Sequence, residues 1–196
     1  MVEIQRVNKA DPLTLPDDRS VWPGQLRPRG EGEFEKEPFD QWWIRNGAAL
    51  RHLPPNLCEQ WIYRHWTHTR FRFLPLENLS CERRWLEGEE LLGSIYRAFG
   101  GNLQPQFDYE TFQRRGGEDR HPTAIALDSG SWDYPMVLLS TPNGIVDLGQ
   151  NRPEVRLVIV EGHQRHRYLN ALHMLGNPPI GPHEVFILTS PTVGQT

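Results

Sequence analysis

The sequence predicts an α/β protein in which a small mixed sheet has flanking helices and follows an N-terminal helical hairpin. The apolar run at residues 155–160 is typical of a buried strand. Glu161-Gly162 interrupts that run, and leucines at helical spacing follow it at positions 169, 172 and 175, with Gly176 as a stop signal. Shorter strand and helix patterns alternate through the preceding residues, which is typical of layered α/β and α+β proteins.

Composition places the chain among soluble, folded proteins. It has 196 residues, 37% of them hydrophobic, and a formal net charge of −4. This charge argues mildly against a protein that binds nucleic acid through bulk charge, although a local basic patch stays open. The two cysteines, Cys58 and Cys81, are too few for a disulfide scaffold and fit a reducing compartment. No run approaches 18 apolar residues and the start of the chain has no apolar leader, so we expect a cytoplasmic protein that does not enter the membrane.

The first 70 residues divide into an extension and a hairpin. Residues 1–37 are rich in proline, glycine and charge, so we expect a flexible extension or one draped over the domain. Residues 38–70 are predicted to form a helical hairpin packed on the core. Asp40 is a plausible cap for a helix that runs to about residue 50, and Asn56 begins a second helix after two prolines. One face of that second helix carries Leu57, Trp61, Ile62 and His65.

Residues 71–189 form the predicted main domain, and 190–196 a short tail. Residues 71–76 alternate like a strand, at an edge because of Pro75. A helix is expected at 89–99, and a polar insertion at 102–122 that is either mobile or locally ordered over the pocket. A turn is expected at 142–144, and short strands at 123–127, 134–139 and 184–188.

The strongest chemical signal is Glu161-Gly162-His163-Gln164-Arg165, between the predicted strand and the predicted helix. Gly162 permits positive φ and close approach of a ligand, and the first turn of a helix offers free N–H groups to an anion. Arg165 can grip a phosphate with two parallel hydrogen bonds. Arg167, two residues further on, is expected to point to a different helix face. His163 can move a proton near neutral pH, and Glu161 can accept from a hydroxyl or help to hold a metal. The plainer alternative is an ordinary strand–glycine–helix turn with solvated arginines.

This motif resembles the signature of the ParB/sulfiredoxin-like superfamily, whose members place a Gly-x-x-Arg element between a strand and a helix. Upstream, Leu91-Leu92-Gly93-Ser94-Ile95 resembles the family's helix with its Ser-Ile pair, and residues 73–79 resemble its opening strand. Residues 182–188 fit its closing strand, so the resemblance covers about residues 71–189. Two departures stand out. About 30 residues separate Pro105 from the next strand, so either Pro105 or Pro135 could be the family's proline, and no helix-turn-helix region follows the motif.

The resemblance implies a nucleotide-phosphate site, because some relatives bind CTP, others use ATP to phosphorylate a small molecule or a protein sulfinic acid, and others are nucleases or NTPases. It implies ATP or CTP with Mg²⁺ as the ligand, and NTP hydrolysis or phosphoryl transfer as the enzymatic form. The implied binding residues are Gly162, His163, Gln164, Arg165 and Ser94. The implied catalytic residues are Glu161, His163 and, as a general base, Glu77. Sulfinic-acid reduction is not expected, because no cysteine lies near the motif.

Two other features give alternative hypotheses. The region 42–73 is rich in tryptophan and arginine and could bind a protein or a nucleic acid, which would make the chain a non-catalytic interaction module or a DNA-linked regulator. The competing interpretation of this region is a helical core with arginines extending to the surface. The spacing of Cys58, His65 and His68 matches no closed zinc pattern, so we predict no structural metal site.

Overall fold

The computed structural model describes residues 11–15, 22–30, 35–114 and 120–191, and these contain two mixed sheets and six α-helices. The strands are β1 (Leu13–Thr14), β2 (Ser80–Leu86), β3 (Ile95–Tyr96), β4 (Met136–Ser140), β5 (Ile145–Asp147), β6 (Gln150–Arg152), β7 (Leu157–Glu161) and β8 (His183–Thr189). The helices are α1 (Phe39–Asn46), α2 (Pro55–Leu57), α3 (Gly88–Ser94), α4 (Pro105–Arg114), α5 (Pro122–Asp128) and α6 (His163–Met174). A π-helical segment, Cys58–Tyr63, continues α2. The predicted mixed α/β class is confirmed.

The larger sheet has the strand order β2-β8-β4-β7-β3. Strand β4 pairs parallel to β8 and antiparallel to β7, while β3 pairs parallel to β7. The predicted strand at 155–160 is confirmed as β7, which lies inside the sheet between β4 and β3. The strands predicted at 134–139 and 184–188 are confirmed as β4 and β8. A smaller sheet of order β1-β5-β6 lies on the other side of the turn at 142–144, where the Gly144 amide donates to the Thr141 carbonyl at 3.0 Å.

Helix α6 follows β7 directly, as predicted, and positions the candidate site. Its N-cap is Gly162, in a left-handed conformation with φ of 109°. Leu169 and Leu172 are buried, but Leu175 is 38% exposed, so its predicted inward position is wrong. The helix ends at Met174, because the backbone leaves the helical path at Gly176, where φ is +77°.

The larger sheet has a hydrophobic core on each face. One core packs the sheet against α3, α4, α5 and α6. The other packs the opposite face against the α1–α2 hairpin and the described parts of the N-terminal extension. Trp42 donates from its indole to the Leu26 carbonyl at 2.7 Å, and Trp22 to the Leu74 carbonyl at 2.9 Å. These bonds hold residues 22–30 against the hairpin; residues 1–10, 16–21 and 31–34 lie outside the described part of the chain.

Two predicted strands are wrong. Residues 71–76 form turns that lead into a 3-10 helix, Leu76–Asn78, and the strand begins only at Ser80. Strand β2 is an edge strand with mostly exposed polar side chains, so its sequence lacks the apolar alternation that marks a half-buried strand. Residues 123–127 belong to α5, which Pro122 begins and whose Thr123 amide is capped by the His121 side chain.

One further prediction is corrected in the middle of the chain, and another is decided. The helix expected at 89–99 ends at Ser94, because Ile95 and Tyr96 pair with β7. The insertion at 102–122, expected to be either mobile or locally ordered, contains α4, which buries Asp108 and Phe112 as it packs on α6; its residues 115–119 lie outside the description. Within the described residues, no helix is long and apolar enough to cross a membrane.

Candidate functional site

A cavity of about 430 Å³ opens where β7 passes into α6, and we call it the motif cavity. Its wall combines three segments that are far apart in sequence. They are the β7–α6 turn at 160–164, the end of the hairpin at 65–71 and the loop at 97–101, joined by Trp61 and Arg167. The predicted residues Glu161, Gly162, His163 and Gln164 all lie in this wall.

Gly162 determines the backbone path at the mouth of α6. Its φ of 109° lies in a region that L-residues rarely adopt, and an added Cβ would come within 2.7 Å of the Met136 side chain. This turn brings the first residues of α6 to the cavity, where the helix has N–H groups without partners inside the helix. The positive end of the helix dipole therefore lies at the cavity.

His163 is fixed in one tautomer by its neighbour. Its Nε2 lies 3.0 Å from the Ala98 carbonyl oxygen. A carbonyl can only accept, so Nε2 carries the hydrogen and Nδ1 of the neutral ring is an acceptor. Burial lowers the pKa of His163, so the ring is neutral at pH 7. The side chain can therefore accept a proton through Nδ1.

Arg165 lies beneath the cavity instead of in its wall. Its side chain is 8% exposed, and its guanidinium donates to Glu161 at 2.8 Å and to Asp133 at 3.2 Å. Asp133 also accepts from the Thr123 hydroxyl at 3.0 Å, which ties α5 to this network. The two carboxylates hold the Arg165 guanidinium out of the cavity wall, so the direct phosphate contact that the motif implies is not formed by this arrangement of the side chain. Burial raises the pKa of Glu161, and the Arg165 charge opposes that increase.

Three other arginines line the motif cavity. Arg167 pairs with the fully buried Asp108 of α4. Arg97 donates to the Gly101 carbonyl at 2.9 Å, and its pKa is lowered by burial and by the nearby charge of Arg167. Arg70 lies 4.7 Å above the Phe99 ring. Arg167 points to a different helix face from Arg165, as predicted, but it is Arg167 that reaches the cavity wall, from the second turn of α6.

Sequence reasoning missed Arg70 and Arg97. Each belongs to a segment that was assigned to a different element, and only the fold brings them to the α6 terminus. The mark of this loop is visible in the structure alone: Arg97 follows β3 and precedes Phe99-Gly100-Gly101, where Phe99 has a positive φ of 62°. Non-glycine residues in this conformation are uncommon and concentrate at ligand sites.

Two histidines form the rim of the cavity. His65 Nε2 is 3.6 Å from a Glu161 carboxylate oxygen, beyond hydrogen-bond range. Burial, together with the Arg64 charge, lowers the pKa of His65 to about 4, so this side chain is uncharged at pH 7. His68 lies beside it in the wall.

Two predicted site residues are not brought to the cavity. Glu77 is exposed on the 3-10 turn at 76–78, and Ser94 ends α3 with its hydroxyl donating to the Glu90 carbonyl at 2.5 Å. Neither lines the cavity. Their assignment depended on a strand at 71–76 and on a longer helix, and neither element is present. Among the described residues there is also no group of three or more His, Cys, Asp or Glu side chains that could hold a metal ion.

The aromatic residues of 42–73 belong chiefly to the core. Trp42, Trp61, Trp66 and Phe71 are all buried, and Trp42 stacks on Phe39 with ring centroids 5.8 Å apart. The arginines of the same region lie at the surface, as the interpretation of a helical core with surface arginines predicts. The tryptophans are therefore not an exposed stacking platform.

The chain matches no protein-family model, and no curated protein or solved structure is significantly similar to it. The resemblance to the ParB/sulfiredoxin-like superfamily accordingly rests on the motif, and the function has to be argued from the chemistry of the cavity.

Proposed function

We propose that the motif cavity binds the phosphates of a nucleotide such as ATP or CTP, in a protein of ParB/sulfiredoxin-like type. One observation carries the proposal: Arg97 and Arg167 line the cavity together with the N-terminal turn of α6. Burial, and after it the nearby charge of Arg167, lowers the pKa of Arg97, so a bound anion would favour the charged form of this side chain.

The charge balance of the wall supports an anionic ligand. The wall has three guanidinium groups, those of Arg70, Arg97 and Arg167, against a single carboxylate, Glu161. Glu161 is already paired with Arg165, and Asp108 compensates only one of the wall arginines directly. Backbone amides at the start of a helix add partial positive charge. Guanidinium groups and helix N-termini together are the groups that proteins use to hold phosphate.

The size and lining of the cavity suit a nucleotide. A volume of about 430 Å³ lies within the range of roughly 300–1,000 Å³ that small-molecule sites occupy. Phe99, with Arg70 above its ring, supplies a planar group in the cavity wall. Mg²⁺ would be held mainly by phosphate oxygens, because Glu161 is the only carboxylate among the described residues of the wall and Mg²⁺ commonly needs just one or two.

The enzymatic form of the proposal is NTP hydrolysis or phosphoryl transfer. His163 is the residue suited to receive the proton of a water or hydroxyl nucleophile, because its Nδ1 is an acceptor and its ring is neutral. Glu161, held by Arg165, would orient a polar group of the ligand. Glu77 and Ser94 have no part in this proposal because they lie outside the cavity.

A thermal-shift panel tests the proposal. ATP, CTP, GTP and UTP, each with and without Mg²⁺, are compared with the corresponding nucleosides and with inorganic phosphate. At a concentration 100 times Kd, a ligand should stabilise the fold by about 2.7 kcal/mol, or about 5–10 °C in Tm for a chain of this size. Stabilisation by triphosphates but not by nucleosides is expected. No shift with any nucleotide would contradict the proposal and favour the non-catalytic interaction module.

A further inference from the structure

A second cavity, of about 800 Å³, adjoins the motif cavity, and His65 and His68 line both. We call it the hairpin cavity, because Tyr63, Arg64 and Trp66 at the end of the hairpin form much of its wall. The remainder of the wall comes from the N-terminal extension, with Arg27 and Lys36. The two cavities are therefore adjacent, and His65 and His68 lie between them.

The hairpin cavity is basic, like its neighbour. It contributes Arg27, Lys36 and Arg64, and none of the described residues in its wall is acidic. Taken together, the two cavities have six arginine or lysine side chains and the one carboxylate of Glu161, in a chain whose net charge is −4. Such segregation of positive charge in a concave surface concentrates anions there.

Each cavity also has an arginine stacked on an aromatic ring. Arg70 lies 4.7 Å from the centre of the Phe99 ring in the motif cavity. Arg64, in the hairpin cavity, lies 5.3 Å from the centre of the Tyr134 ring. Both arginines are exposed. Guanidinium planes, like aromatic rings, are surfaces on which unpaired bases stack.

From these features we infer that the ligand is single-stranded nucleic acid, one nucleotide of which occupies the motif cavity while the strand continues over His65 and His68 into the hairpin cavity. This inference rests on the proposed function, because the phosphate of the nucleotide in the motif cavity occupies the proposed site at the N-terminus of α6. A mononucleotide that fills the motif cavity leaves the larger hairpin cavity, with Arg27 and Arg64 in its wall, unoccupied. A strand places further phosphates beside those cations and further bases beside Arg64. In a duplex the bases are paired and stacked on one another, so they cannot stack on Arg64 or Arg70.

Fluorescence anisotropy with labelled oligonucleotides tests this inference. The probes are a deoxythymidine decamer, a uridine decamer, a duplex of equal length and inorganic polyphosphate as a competitor without bases. Arg64→Glu changes a side chain that lines the hairpin cavity and not the motif cavity. Arg51→Glu, at an exposed arginine in the wall of neither cavity, makes the same change in net charge and is the matched control.

The wild type should bind at least one decamer more tightly than the duplex, and polyphosphate should compete poorly. Arg64→Glu should weaken decamer binding about tenfold or more, while Arg51→Glu changes it less than about twofold. Loss of one phosphate contact should also reduce the salt slope by about 0.7. Thermal unfolding checks that both variants remain folded.

Parallel titrations with ATP and CTP separate the two proposals. If mononucleotides bind, but decamers bind no more tightly or the two variants behave alike, the inference is overturned while the proposed function stands. Duplex or polyphosphate binding as tight as decamer binding would also overturn it. If decamers bind as described but mononucleotides do not, the proposal of a mononucleotide site is overturned, and the cavity takes phosphate only as part of a strand. If nothing binds the folded protein, both proposals fail.

Discussion

At the scale of single residues, Gly162 has the clearest structural requirement in the site. Its positive φ turns the chain from β7 into α6, and its missing side chain leaves room for Met136. The positive φ is a local requirement of the turn, so the sequence alone correctly predicted that Gly162 lies between the strand and the helix.

We predict that Gly162→Ala lowers the free energy of unfolding by about 2–4 kcal/mol, since it combines unfavourable φ with a contact too close to Met136. Urea denaturation of both proteins measures this difference. Gly149→Ala is a useful comparison, because Gly149 also has positive φ but nothing lies within 4 Å of an added Cβ. Equal effects at the two positions would show that the close packing at Met136 contributes nothing.

Side-chain direction is the part of the site that sequence did not predict. Gly162, His163 and Gln164 line the cavity as the motif implies, because the turn itself places them there. Arg165 does not, because Glu161 and Asp133, the latter 32 residues earlier in the chain, hold its guanidinium out of the wall. Arg97 reaches the same wall from the loop after β3. Contacts of this range are fixed by tertiary packing and leave no local pattern in the sequence.

At the scale of elements, burial decided which predictions succeeded. Strand β7 and helix α6 were predicted because both have a strong apolar pattern that the sheet and the core require. The edge strands β2 and β3 have little or none, since one is exposed and the other is two residues long. Helix α5 was mistaken for a strand because its apolar residues 124, 125 and 127 form a short run. In so short a run, the helical period of 3.6 residues cannot be distinguished from the strand period of two.

The packing of α6 against α3 predicts a pH effect. His166 of α6 is 2% exposed and packs near Leu91, and burial lowers its pKa to about 4 from 6.5. The unfolded chain therefore takes up a proton at this position at a higher pH than the folded chain does. The stabilisation that comes from keeping His166 neutral should be fully present above about pH 6.5, and the free energy of unfolding should fall as the pH drops towards 4. Each tenfold difference in proton affinity is worth about 1.4 kcal/mol, so His166 contributes on the order of 2–3 kcal/mol to this loss.

Denaturant unfolding between pH 7 and pH 4, for the wild type and for His166→Leu, measures this contribution. The variant should lose less stability than the wild type over that interval, whatever its stability at pH 7. Part of the pH dependence should remain, because burial also lowers the pKa of His183 to about 4. Identical pH profiles for the two proteins would exclude His166 as a source of the acid sensitivity.

At the scale of the whole molecule, the sheet brings one end of β7 together with the hairpin and the loop after β3. Residues from three distant segments thereby surround the start of α6. Two of these segments supply Arg70 and Arg97, and α6 itself supplies Arg167. The same arrangement places the hairpin and the N-terminal extension next to the cavity, which extends the basic surface. A chain with a net charge of −4 thus concentrates positive charge at one position in the fold. Composition alone could not reveal this, because it averages over the whole surface.

Isothermal titration of ATP and CTP into the wild type, Arg97→Ala and Arg51→Ala tests the central claim most directly. Arg97 lines the cavity and pairs with no buried carboxylate, so its removal avoids the unpaired Asp108 that a change at Arg167 would leave. We predict that the wild type binds at least one of the two nucleotides. Arg97→Ala should weaken that binding about tenfold or more, through loss of a charge-assisted contact worth about 1.5–3 kcal/mol, whereas Arg51→Ala should stay within about twofold. No binding by the folded wild type, or equal losses in the two variants, would contradict a nucleotide-phosphate site in this cavity.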